Sequence, residues 1–310
     1  MREIMPLRKH LKGQCPALAT NVLGSVAVIT DDQGRPIKNE IVPELTERQE
    51  QESEDLTSVT ALVVHEAIRK SGEEELARPI QALAWSGLAA GLSMGFSFLA
   101  EALFRTYLPN APWRPLLTNL GYSVGFLLVI VGRQQLFTEN TLTAIIPLLA
   151  KRNWPTFRAV VKLWSIVLVA NLVGAHIFAW VIADSTVMKP VFRDALRDIA
   201  MEAADVSFFT ALLRGIFAGW LIAMIVWMLS ATDSGRISII VILTYIVGLA
   251  SLTHVIAGST EVLYLVMTGA KSWFSYFGGY MIPTLAGNIL GGISLVSALN
   301  HAQVVAGSRK

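Results

Sequence analysis

His254 and Thr138 each interrupt a long apolar stretch, within Ser251-Leu252-Thr253-His254 and Leu136-Phe137-Thr138-Glu139-Asn140. An ionisable side chain in such a stretch is costly and points to function. Small changes of surroundings move the charge of imidazole across neutral pH, so His254 can take up or release a proton there. A hydroxyl donates and accepts, so Thr138 can hold a protonated or an ionised guest. The plainer roles stay open: a hydrogen-bonded structural histidine, and a threonine capping the half-helix that follows. Asn171 and Asn288 sit in Asn-x-x-Gly sequences, and each offers two donors and an acceptor to backbone loosened at a break. Such amides also bond one helix to another. Leu136 and Phe137, with Phe208 or Phe209 as additions, can form apolar constrictions that limit size and hydration, or can be ordinary packing.

These residues must be held by apolar helices. The chain is 53% hydrophobic and charge is sparse beyond its first eighty residues, which is the composition of a multi-pass membrane protein. Crossing the hydrocarbon takes roughly 20 apolar residues. Runs of that length predict six spans near 80–104, 116–149, 159–183, 209–230, 237–268 and 277–299. The second and fifth are too long for one straight helix and carry the interruptions, so each reads as two half-helices. Unwound backbone at that depth persists only where it is buried in protein or lines a polar cavity, and paired broken spans mark a transport path.

The order of motifs repeats. Gly87-Leu88-Ala89-Ala90-Gly91 in the first span is echoed by Gly215-Ile216-Phe217-Ala218-Gly219 in the fourth, and Asn171-Leu172-Val173-Gly174 in the third by Asn288-Ile289-Leu290-Gly291 in the sixth. Each half has three spans, an odd number, so the second half inserts upside down. The fold class is therefore an all-α membrane protein of six helices in two inverted three-helix repeats, with helices 2 and 5 broken. The glycines serve close helix packing. Nine Lys and Arg in one set of loops against six in the other put both termini in the cytoplasm.

Residues 1–58 read as a cytoplasmic region whose acidic run at 44–55 stays solvated. Its stretch Ala17–Ile29 imitates a signal peptide but carries Thr20, Asn21 and Ser25 and lacks a convincing cleavage site. Residues 59–79 predict an amphipathic surface helix, 80–300 the transport domain, and 301–310 a cytoplasmic tail. Cys15 is the single cysteine, which leaves no intramolecular disulfide or cysteine metal cluster. A net charge of +2 provides no basic stripe for nucleic acid. There is no nucleotide loop, no His/Glu metal spacing and no Ser-His-Asp set, so catalysis, cofactors and metals are not expected.

Leu136-Phe137-Thr138 with Asn140-Thr141, His254-Val255-Ile256-Ala257, and the two Asn-x-x-Gly sequences resemble the motifs of the formate/nitrite transporter family. Arg133–Thr143 and Gly219–Met228 resemble its YfdC-type branch. The resemblance spans about Leu62 to Gln303. It implies an aquaporin-like protomer with its own pore, a homopentamer in the bacterial inner membrane, and small monovalent anions such as formate, nitrite or hydrosulfide as cargo, with His254 as the central histidine.

Several residues depart from that pattern. Gly258 stands where the family usually has asparagine, four places after the histidine. Glu139 follows Thr138 at a half-helix N-terminus, where the helix dipole would otherwise favour an anion. Its expected orientation is sideways, paired with a cation such as Arg133. Glu261 is a further candidate partner, and Arg197 is the stand-in for a vestibule lysine. Three readings follow: a channel or proton-coupled transporter for weak-acid anions, a pore for a small neutral solute, or a non-transporting membrane scaffold with an acidic partner-binding arm.

Overall fold

The computed structural model describes residues 59–307 apart from Ser185 and Asp233. The acidic run, the signal-like stretch and Cys15 lie outside the described residues. Helix α1 (Ala61–Ala77) occupies the stretch expected to be amphipathic and buries Val64 and Ile68 against Leu142, Ile146 and Ala223. It approaches so closely that a methyl at Gly72 would stand 2.0 Å from the Thr143 carbonyl oxygen. On its polar side Arg69 lies 2.7 Å from both Glu66 and Glu73, pairs at the spacing that helix neighbours require.

The long apolar runs become α2 (Ile80–Tyr107), α7 (Trp154–Ala183) and α9 (Phe208–Ala231). α7 starts where Asn153 Oδ1 accepts the Thr156 N–H at 2.9 Å, and α9 where Ser207 Oγ accepts the Thr210 N–H at 3.2 Å. Both are side-chain caps of the preferred kind. Between α2 and α7 run α3 (Arg114–Thr118), α4 (Tyr122–Val131), the first break, α5 (Asn140–Thr143) and α6 (Ile145–Lys151). Among the described residues four stretches are long and apolar enough to cross a membrane: Ile80–Tyr107, Arg114–Val131, Trp154–Ala183 and Phe208–Ala231.

The loop that the predicted spans 159–183 and 209–230 leave between them instead contains the helix α8 (Pro190–Ala204). Phe192, Ala195, Leu196, Ile199 and Ala200 form its buried stripe, and Asp194, Arg197, Asp198 and Glu202 are exposed beside it. After α9 come α10 (Arg236–Leu249), the second break and α11 (Ala257–Met267). The last helical run begins with a π-helical segment at Ser275–Met281, passes through α12 (Ile282–Leu290) and a second π-helical segment at Gly291–Ala298, and ends in α13 (Leu299–Gly307).

Small residues set the packing identically in the two halves. A methyl at Gly91 of α2 would lie 2.1 Å from the Asn171 carbonyl oxygen of α7, and one at Gly219 of α9 would lie 2.3 Å from that of Asn288 in α12. Gly174 and Gly291 meet the Leu88 and Ile216 carbonyl oxygens in the same sense, at 2.5 and 2.0 Å. Backbones that approach this closely exclude any side chain, and they bring each Asn-x-x-Gly helix against its broken segment.

Candidate functional site

Both half-helices stop in the same way. Arg133 and Ser251 take left-handed conformations, with φ of 50° and 49°, and the next N–H groups fold back: Gln134 N–H to Val129 O and Leu252 N–H to Val247 O, each 2.9 Å. This is the bond that closes a helix after a left-handed residue. The extended residues that follow are held by the two asparagines. Asn171 Oδ1 accepts the Phe137 N–H at 2.9 Å while its Nδ2 donates to Gly87 O at 2.7 Å and Gln135 O at 2.8 Å. Asn288 Oδ1 accepts the Val255 N–H at 2.8 Å and its Nδ2 donates to Gly215 O at 2.9 Å and Thr253 O at 3.0 Å. Each amide thus satisfies backbone groups that the break deprives of helix partners.

The clasps bring the two breaks together. Thr138 Oγ1 and His254 Nε2 are 2.8 Å apart, both fully buried. His254 Nδ1 accepts the Ala257 N–H at 3.2 Å and so caps the first turn of α11. With Nδ1 occupied as an acceptor, the neutral ring carries its proton on Nε2 and donates it to Thr138 Oγ1. Phe126 stands edge-on to the imidazole with ring centroids 5.1 Å apart. Leu136 and Phe137 are fully buried beside this pair, Phe137 edge-on to Trp164 at 5.8 Å. Phe208 and Phe209, the additional candidates, are exposed at the start of α9. His254 also borders a cavity of about 300 Å³ lined in part by Glu101, Tyr122, Glu202, Arg214, Glu261 and Tyr280.

The sequence profile described as formate/nitrite transporter matches residues 62–302. The chain belongs to the formate/nitrite transporter family. It is similar to the inner membrane protein YfdC of Escherichia coli, with 41% identity over 81% of each chain. It is also similar to the formate channel BtFdhC of Bacillus thuringiensis, with 23% identity over 75% of this chain and 91% of that one. A solved pentameric formate channel with formate bound shares the fold, with a TM-score of 0.60 at 20% identity over 76% of this chain and 99% of its own. An ion channel of the formate/nitrite transporter family does so with a TM-score of 0.61 at 17% identity over 78% and 96%.

The departures of this family member have physical counterparts. A side chain at Gly258 would place its Cβ 1.6 Å from Tyr280 Oη, and that hydroxyl donates instead to the His254 carbonyl at 3.2 Å. The space that a residue at 258 would need is filled by a tyrosine from the last helical run. Arg197 is exposed on α8 and does not line the cavity, whereas Arg214 of α9 does. The expected pairing of Glu139 with Arg133 is not formed. Among the described residues Glu139 makes no ion pair, and Arg133 is exposed, its backbone committed to the left-handed turn. Glu261 lines the cavity. Sequence reasoning passed over Glu101, Tyr122, Phe126, Arg214 and Tyr280. Glu101 and Arg214 carried a signal, since both are charges within or at the end of apolar spans.

Proposed function

We propose that this chain forms a homopentameric channel or proton-coupled transporter for small monovalent weak-acid anions of the formate or nitrite kind. In this reading each protomer has six crossings and its own pore in the inner membrane, with both termini in the cytoplasm. The observation that carries it is the contact of Thr138 with His254 at 2.8 Å, made between two clasped breaks at the end of a cavity. Arg214 draws the anion into the cavity. Thr138 presents its O–H donor to it, His254 fixing that hydroxyl through its own N–H, and Leu136 and Phe137 exclude its water. Asn171 and Asn288 hold the backbone that positions these groups, while Gly258 and Tyr280 shape the approach. The family and the fold are those of transporters and channels, which supports transport over a scaffold role. Uptake of radiolabelled formate into proteoliposomes tests the reading: wild type should load the vesicles and His254→Ala should not. Equal uptake by the two would refute it.

A second reading, passage of an uncharged solute, is favoured by the acidic lining, in which Glu101, Glu202 and Glu261 outnumber Arg214. Vesicles that admit a small neutral solute such as glycerol but no formate would decide for it.

A further inference from the structure

Two of the acidic residues in the cavity are buried without a partner among the described residues. Glu101 of α2 and Glu261 of α11 each keep only 6% of their surface exposed, line the same cavity, and have no hydrogen bond or ion pair among the described residues. Arg105, one turn beyond Glu101, is turned outward to Glu202 at 2.8 Å and Asp198 at 3.7 Å on α8. The other titratable or charged groups around the pair are Tyr122 from α4, Glu202 from α8, Arg214 from α9, Tyr280 from the last helical run and His254 at the break. A buried charge without a pairing partner is strongly unfavourable, and two carboxylates that share a buried site, neither of them ion-paired, do not both ionise. A resident metal ion is not the answer, because no group of three or more His, Cys, Asp or Glu among the described residues could hold one.

We propose that Glu101 and Glu261 hold one transferable proton between them and give it to the weak-acid anion before it meets His254. This rests on the transport reading above and deepens it. In the step, the carboxyl O–H bond breaks and an O–H bond forms on the anion, leaving a carboxylate and the neutral acid. The carboxylate is then reprotonated from outer water through the mouth at Glu202 and Arg214. The neutral acid crosses the stretch between Leu136 and Phe137 without the cost that a bare anion incurs in an apolar constriction. Two negative groups in an anion path, awkward as bystanders, thereby become the source of the co-transported proton.

Two measurements on the full-length oligomer test this. Dicyclohexylcarbodiimide attacks protonated carboxyl groups in apolar surroundings, so treatment at neutral pH followed by peptide mass spectrometry should place an adduct on Glu101 or Glu261. Wild type without an adduct at either residue would overturn the proposal. In proteoliposomes, formate uptake by wild type should rise as the outer solution is acidified, and the Glu101→Gln/Glu261→Gln variant, assembled as the wild-type oligomer, should lose that rise. An unchanged pH dependence in the variant would also overturn it. Wild type that is labelled yet takes up no formate would support the shared proton and refute the transport reading instead, so the two failures are distinct.

Discussion

Replacing Asn171 by alanine should be among the most damaging single changes in this chain. Three hydrogen bonds end on this amide. Gly87 lies inside α2, so its carbonyl keeps the helix's own bond. Gln135 O and Phe137 N lie in the break, where no other bond reaches them. Each buried backbone group left without a partner costs about 1–3 kcal/mol, so Asn171→Ala should lose about 2–6 kcal/mol for the two groups, against a total of roughly 5–15 kcal/mol for an ordinary domain. Asn171→Asp, nearly the same shape, should be worse, because a carboxylate oxygen would replace the donor that now faces two carbonyls at 2.7 and 2.8 Å. The same ranking, asparagine then alanine then aspartate, should hold at Asn288, whose three bonds repeat the set. Thermal unfolding of the detergent-purified oligomer, followed by tryptophan fluorescence, measures it. Alanine variants that melt with wild type, or an aspartate variant as stable as asparagine, would refute the view that these amides hold the breaks.

Three further outcomes are expected. Gly258→Asn should displace the Tyr280 hydroxyl, which a Cβ would approach to 1.6 Å, at a cost of about 1–3 kcal/mol; adding Tyr280→Ala should restore the oligomer on size-exclusion chromatography, and a single variant as stable as wild type would contradict the account. Glu139→Gln should leave the melting temperature unchanged or raise it, since Glu139 has no ion pair among the described residues to lose; a drop of the size typical for a broken buried pair, ~3–5 kcal/mol, would reveal a partner. His65 Nε2 meets His301 Nδ1 at 3.1 Å, joining α1 to α13, and burial, followed by the neighbouring His301, holds His65 below its ordinary 6.5. Docking of α1 therefore favours the neutral ring, is strongest above pH 6.5, and weakens as pH falls toward the lowered value. Hydrogen exchange in α1 should quicken on acidification beyond the intrinsic rate change, and His65→Gln should abolish the extra effect.

The positions of the breaks were legible because polar residues inside apolar runs have few explanations at bilayer depth. Repeated Gly-rich and Asn-x-x-Gly sequences disclosed the two halves for a related reason: close backbone approach tolerates few residue types. The manner of the break was not legible. Left-handed helix ends are usually marked by glycine, whereas here they fall on Arg133 and Ser251, which carry no such signal. Helix α8 escaped notice because its charged face dominates the composition, although its apolar residues recur at helical spacing and a periodicity count would have found them. The choice of Arg214 over Arg197, and the exchange of a residue-258 side chain for Tyr280, depend on which helix faces the cavity. No local pattern encodes that.

The matched geometry of the breaks has a consequence for polarity along the pore. Gln135 and Phe137 stand in the first clasp where Thr253 and Val255 stand in the second, so the position of Leu136 corresponds to that of His254, and Thr138 to Ile256. Each loop offers two equivalent seats, and this chain fills one seat in each with a polar residue, at staggered places. A symmetric frame thereby carries an unsymmetric cargo of chemistry. The imidazole borders the acidic cavity while the threonine does not, so under the transport reading proposed above a guest arriving through that cavity would meet histidine before threonine. Rectification of flux needs such a difference between the two approaches, and here two substitutions in a duplicated frame are enough to provide it.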